Sequence, residues 1–186
     1  MTIKLVYLAV LTAIAVIIYV VESWIPIPIP IPGVKLGLAN VITLFALFYT
    51  PAEKQPIKQT AKKNQLTPTL GADAFTILLF RVLIGLTLTG RATAFLFSMA
   101  GGIFALVAVF IAKRFVTQKQ IWVCGVIGAI FHNIGQILIA MLVTGTPWII
   151  TYLPIFIIAG IITGAITGMA AQLTILRIME KKSVEI

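Results

Sequence analysis

Six stretches of this chain stay apolar long enough to leave water, and almost no charge interrupts them. They run from about Ile3 to Val21, Leu36 to Tyr49, Asp73 to Leu88, Thr93 to Ala112, Ile121 to Val143, and from Trp148 or Pro154 to about Met179. Crossing the hydrocarbon of a bilayer takes about 20 apolar residues as a helix. The pattern therefore predicts an all-α integral membrane protein, a single bundle of six transmembrane helices spanning residues 1–186. The runs are continuous and lack the polar/apolar alternation of barrel strands, which argues against a transmembrane barrel. The first run, with Lys4 before it, has the outline of a signal peptide. Glu22, Trp24 and the prolines after it make a poor small-residue cleavage site, so it reads as a retained helix.

Composition closes the other routes. Only 10% of the residues are charged, where a soluble domain carries about 25%. With so little charge the chain cannot cover a water-facing surface, which excludes a soluble enzyme, a nucleic-acid module and a disordered tail. The net charge of +9 is explained by position, since the basic residues fall between the apolar runs, where they meet lipid headgroups and set topology. Cys124 is the one cysteine, so no disulfide framework is expected.

Lysine and arginine counts orient the bundle. With six spans both termini share a side. That side receives Lys4, Lys54, Lys58, Lys62, Lys63, Lys113, Arg114, Lys119, Arg177, Lys181 and Lys182, eleven of the fourteen basic residues. The other side receives Lys35 and Arg91, and Arg81 falls inside a span. Both termini are thus expected in the cytoplasm of a multi-pass protein of a bacterial cell membrane.

The first outer connection reads ESWIPIPIPIPGVK, from Glu22 to Lys35. Its four prolines fix φ and remove donors, which predicts a stiff extended strap. It is too apolar for open water, so it lies against the membrane surface or closes over a cavity. The second span is short, and the strap is expected to make up the missing depth. The cytoplasmic connection 51–72, rich in lysine, glutamine and proline, reads as a flexible loop near anionic lipid.

Polar residues inside the runs are the candidate site. Arg81, in LLFRVLIG, costs about 2.5–3.5 kcal/mol at a helix centre, so it must face the bundle interior and a partner. Glu22, the only acid on the outer half, is the protein partner at hand. A carboxylate or phosphate ligand, which a guanidinium grips bidentately, is the other. His132 and Gln136 are four residues apart on one helix face, with Asn133 beside them. They fit either interhelical hydrogen bonds or ligand contacts. Asn40 in the second span and Lys35 at the outer mouth complete the substrate-binding candidates. Asp73 reads as an N-cap or first-turn acid with no ligand role. One histidine, with no cysteine or carboxylate at ligand spacing, implies no metal, and the residues imply no cofactor. Gly160, Gly164 and Gly168 recur every four residues, as do Ala9 and Ala13. Both are small-xxx-small ridges that let helices pack closely.

IPIPIPGVKLGLANVITLFAL (Ile27 to Leu47), FRVLIG (Phe80 to Gly85), SMAGG (Ser98 to Gly102), HNIGQ (His132 to Gln136) and YLPIFIIAGIITG (Tyr152 to Gly164) together resemble the Gx transporter family. That family also goes under the name heptaprenyl diphosphate synthase component I, and is similar to the substrate-binding S components of energy-coupling factor (ECF) transporters. The resemblance implies an S-component-like fold of six helices with an outward-facing site for a small molecule. It also implies docking of the Ala9 and Ala13 ridge on a transmembrane coupling subunit that carries two ATPases. The long connection 51–72 departs from the short link usual in the family.

The synthase name can be weighed against the residues. Diphosphate chemistry on magnesium needs clustered carboxylates. The five acids, Glu22, Glu53, Asp73, Glu180 and Glu185, are scattered, so no metal-diphosphate active site is expected and the chain is not read as an enzyme. It also has no P-loop. Three readings stand: a substrate-binding uptake subunit for an anionic or amphipathic vitamin- or isoprenoid-like precursor, a membrane partner of prenyl or quinone biosynthesis, and a ligand-free structural subunit. Nucleic acid is not expected as a partner.

Overall fold

The computed structural model describes residues 2–25, 34–49 and 68–184. Among them the chain is helical, with no strand. The elements are α1 (Thr2–Glu22), α2 (Asn40–Phe48), α3 (Pro68–Thr89), α4 (Ala92–Ala112), α5 (Ile121–Thr144) and α6 (Leu153–Val184). Short 3-10 turns at Gln118–Gln120 and Pro147–Tyr152 lead into α5 and α6. The protein is a multi-pass membrane bundle: five helices, all but α2, are long and apolar enough to cross a bilayer.

Five is one fewer than the apolar runs suggest. α2 has nine residues, a rise of about 14 Å at 1.5 Å per residue. Residues 34–37 approach it as non-helical chain. Gly37 stands at φ +79, a left-handed conformation that glycine adopts without steric cost. The segment is tolerated because it is wrapped in protein. None of residues 34–49 is exposed, and α2 contacts all five long helices. Irregular backbone at membrane depth survives only where protein covers it or it lines a cavity. The strap's prolines, and residues 51–67 of the expected loop, lie outside the described residues.

The third helix starts earlier than Asp73, at Pro68. Proline is well suited to a first helical position, where its missing N–H is no loss. So residues 68–72 belong to the helix and not to the loop, and Asp73 is neither a cap nor a first-turn acid. It is buried in the next turn and ion-paired to Lys4 at 2.8 Å.

Hydrogen bonds give the helix directions. At one end of the bundle Lys4 meets Asp73, the Tyr7 hydroxyl donates to the Tyr49 carbonyl at 2.7 Å, and Lys113 Nζ donates to the Leu47 carbonyl at 2.6 Å. At the other end Glu22 accepts from the N–H groups of Gly37 and Leu38. Thus α1, α3 and α5 run one way and α2, α4 and α6 return. The start of α1 and the end of α6 both fall at the Lys4 end.

α5 and α6 make the tightest seam. A Cβ on Gly164 would lie 2.7 Å from the Gly125 carbonyl, and one on Gly168 would lie 2.7 Å from Trp122 Cα. Gly160 faces Ala129 and Asn133 in the same way. The glycine ridge is therefore spent inside the bundle. Ala9 and Ala13 are exposed, on an outer face of α1 shared with Leu5, Val6, Val10 and Ile17.

Candidate functional site

Two apolar clusters fill the bundle. The larger, toward the Lys4 end, includes Leu11, Leu44, Leu47, Ile77, Val109 and Ile121. The smaller, toward the far end, is built on Val34, Phe97, Ile137, Ile149 and Phe156. Between them lies a layer of buried polar side chains: Tyr19, Glu22, Lys35, Arg81, Ser98, His132, Asn133 and Gln136, each no more than 4% exposed. Asn40 sits at its edge, half-buried. The candidates, drawn from three separate apolar runs and from the connection before the second, are thus gathered at one level.

Each is held by a different device. Gln136 clamps the chain leading to α2. Its Oε1 accepts from the Lys35 N–H at 2.9 Å and its Nε2 donates to the Lys35 carbonyl at 2.8 Å. Both sides of the amide are therefore committed to backbone. Asn133 Nδ2 donates to the Phe156 carbonyl at 2.6 Å across the α5–α6 seam, and its Oδ1 has no partner. Lys35 is not at an open mouth: it is buried, its Nζ donates to the Tyr19 carbonyl at 2.9 Å, and it lies 3.0 Å from the centre of the Tyr19 ring. Such a cation over an aromatic face is stabilised by the ring quadrupole.

Arg81 meets Asn40 and not Glu22. Its Nη2 donates to Asn40 Oδ1 at 2.5 Å. Glu22 spends one oxygen on two backbone donors, Gly37 at 2.5 Å and Leu38 at 3.2 Å, and acts on Arg81 only through its field. The carboxylate is drawn to those N–H groups because they lie in the non-helical turn just before α2 and have no acceptor of their own in a helix. Arg81 Nε and Nη1, Asn40 Nδ2 and the Ser98 hydroxyl have no hydrogen-bond partner.

His132 is gripped between two backbones. A Cβ on Gly37 would lie 2.7 Å from its Cδ2, and one on Gly101 would lie 2.7 Å from its Nδ1. Any side chain at either glycine would displace the imidazole. Its Nε2 makes no hydrogen bond and points toward the Gly37–Asn40 turn.

Chemically the layer is a set of donors with a surplus of positive charge. Arg81 and Lys35 bring two cations against the single carboxylate of Glu22. Among the described residues no group of three metal-ligating side chains occurs. Tyr19, Ser98 and Gly37 adjoin these side chains, and reading the chain alone passed over them. Gly37, standing between Lys35 and Asn40, was the one with a visible signal.

The fold and the layer define a polytopic helical membrane protein with a buried, cation-rich site. The chain belongs to the heptaprenyl diphosphate synthase component I family, whose model matches residues 11–61 and 66–174. No curated protein and no solved structure matched it.

Proposed function

We propose that this chain is the substrate-binding membrane subunit of an ECF-type uptake system, taking a small anionic or amphipathic molecule. The observation that carries the reading is the charge balance of the polar layer. A guanidinium with two unpartnered nitrogens is buried beside a second cation, and the one nearby carboxylate is occupied with backbone. Buried charge without a close partner is costly, and a bound carboxylate or phosphate would offset that cost. The resemblance to Gx transporters and S components supports the same reading.

Arg81 then binds the ligand's anionic group, with Asn40, His132 and the free oxygen of Asn133 around its polar part. Gln136 and Lys35 hold the lead-in to α2 in register. The chain has no P-loop of its own, so uptake requires ATPase partners, reached through a coupling subunit docked on Ala9 and Ala13. Mass spectrometry of small molecules retained by the purified protein tests the reading; an anionic compound lost on Arg81→Met is the expected result.

A sixth crossing also belongs to this proposal. α2 is tied to α1 near Tyr7 and again at Glu22, about 22 Å apart along α1 at 1.5 Å per residue. The lead-in and α2 together thus match most of α1's depth. With eleven of fourteen basic residues assigned to the Lys4 end, both termini are cytoplasmic in a bacterial cell membrane. Single cysteines at Lys58 and Ile29, in a Cys124→Ser background, test this by labelling intact cells. Label at position 29 and none at 58 is expected; the reverse pattern would reject the orientation.

The family name favours a second reading, a membrane component of prenyl or quinone biosynthesis. The scattered acids then assign the metal-diphosphate chemistry to a separate soluble synthase. Co-purification separates the two. The uptake reading expects a coupling subunit and two ATPases, and Ala13→Trp should abolish that assembly by preventing close helix approach while leaving the ligand bound. Full assembly in Ala13→Trp would remove the docking role.

A further inference from the structure

We infer that the polar layer selects its ligand by charge: it takes a monoanion, such as a carboxylate or phosphodiester, and Glu22 is the residue that turns dianions away. The inference rests on the anion site proposed above and specifies what that site accepts. Among the described residues three side chains that carry charge are buried at this level, Arg81, Lys35 and Glu22, each no more than 4% exposed. Residues 26–33, which lie outside the described residues, include no ionisable side chain. Arg91 also acts on Lys35, but it is exposed, where water and salt screen it. An imidazole is uncharged at pH 8, so His132 does not alter the count there. Two cations against one carboxylate leave the layer with one net positive charge.

The polar atoms available to a ligand suit an oxyanion of that charge. Arg81 Nη2 gives a hydrogen to Asn40 Oδ1, while Nε and Nη1 are unpartnered. The guanidinium fork pairs Nε with one Nη2 hydrogen and Nη1 with the other, so one full two-donor edge is left for two oxygens of one group. Asn40 Nδ2 and His132 Nε2 would lie 2.9 and 3.0 Å from a Cβ on Gly37, which brings polar atoms of α2 and α5 together beside that edge. A monoanion on Arg81 brings the layer to neutrality. A dianion leaves it negative, in surroundings where charge is poorly screened, and its cost of leaving water rises with the square of its charge. It would also face the Glu22 carboxylate, which is fixed by the Gly37 and Leu38 N–H groups and has no other place to go. A diphosphate is penalised in the same way, so a prenyl diphosphate is not the ligand of this layer.

Glu22→Gln isolates the charge. Both backbone donors use the one oxygen Oε1, and the amide oxygen of glutamine can accept them as before. The probes are ethyl sulfate and ethyl phosphate at pH 8, titrated calorimetrically against the full chain in nanodiscs of uncharged lipid. The two have the same shape, but the first is a monoanion and the second, with a second pKa of about 6, is a dianion. The unsubstituted protein should bind ethyl sulfate about tenfold or more tighter than ethyl phosphate. Glu22→Gln should erase or reverse that order, and Arg81→Met should lose both probes. Lys35→Met decides if Glu22→Gln does not fold. It removes one cation and keeps the backbone clamp to Gln136, so the preference for ethyl sulfate should widen by about tenfold. Arg81-dependent binding that favours ethyl phosphate in the unsubstituted protein, or a preference that neither variant changes, would overturn the charge rule and leave the anion site standing. No Arg81-dependent binding of either probe would overturn both.

Discussion

Arg81→Met should weaken binding of an anionic ligand by at least tenfold while the protein keeps its fold. A hydrogen bond to a charged group contributes about 1.5–3 kcal/mol, which is roughly tenfold to over a hundredfold in affinity. The fold should survive because Arg81 gives the bundle little. Among the described residues its side chain makes one hydrogen bond, to Asn40 Oδ1, and its Nε and Nη1 make none. Methionine retains much of the apolar stem and removes a charge that is expensive to bury. Thermal stability and affinity for ethyl sulfate, measured on the same preparation, separate the roles. A lower melting temperature with unchanged affinity would make Arg81 a structural group. Unchanged affinity in both Arg81→Met and His132→Ala would remove the site as proposed.

Gln136→Leu should have the opposite profile, with the largest loss of stability of any single change in the layer. Leucine fills similar volume, so the loss is polar. The Lys35 N–H and carbonyl would both be stranded in the bundle interior. Each unsatisfied buried group costs about 1–3 kcal/mol, so about 2–6 kcal/mol is expected in all. Thr87→Val, at an exposed position on α3, is the control, and chemical denaturation in mild detergent is the measurement. A Gln136→Leu protein as stable as the control would show that the clamp contributes nothing.

The long helices were legible because lipid imposes one rule on composition, and the apolar runs follow it. Their ends were less so. The first turns of α3 read PTLGA, without apolar periodicity, so the helix seemed to begin at Asp73, five residues late. α2 was harder to read for a deeper reason. A run such as VITLFALF looks the same whether lipid or protein surrounds it, and only the contacts show that every residue from 34 to 49 is buried or half-buried. Within the site, Arg81, His132, Asn133, Gln136 and Asn40 stood out as polar groups where polar groups are costly. Their pairing did not. Glu22 was the one carboxylate in range of Arg81, yet the N–H groups of Gly37 and Leu38 hold it. Nothing in the chain announces that competition, because it depends on where the non-helical lead-in delivers its backbone donors.

The pairing of Asn40 with Arg81 bears on how such a chain enters a bilayer. α2 is too short and too irregular to be a good insertion substrate by itself, and its freed backbone groups need protein acceptors and donors that lipid does not supply. α3 carries an arginine at a depth where an isolated helix is penalised. Each segment supplies what the other lacks: Asn40 offers the guanidinium an oxygen, and α3 helps to shield α2 from the acyl chains. The two poorest membrane segments of the protein therefore make their best case for insertion together, which ties the biogenesis of the bundle to the same contact that shapes its buried polar layer.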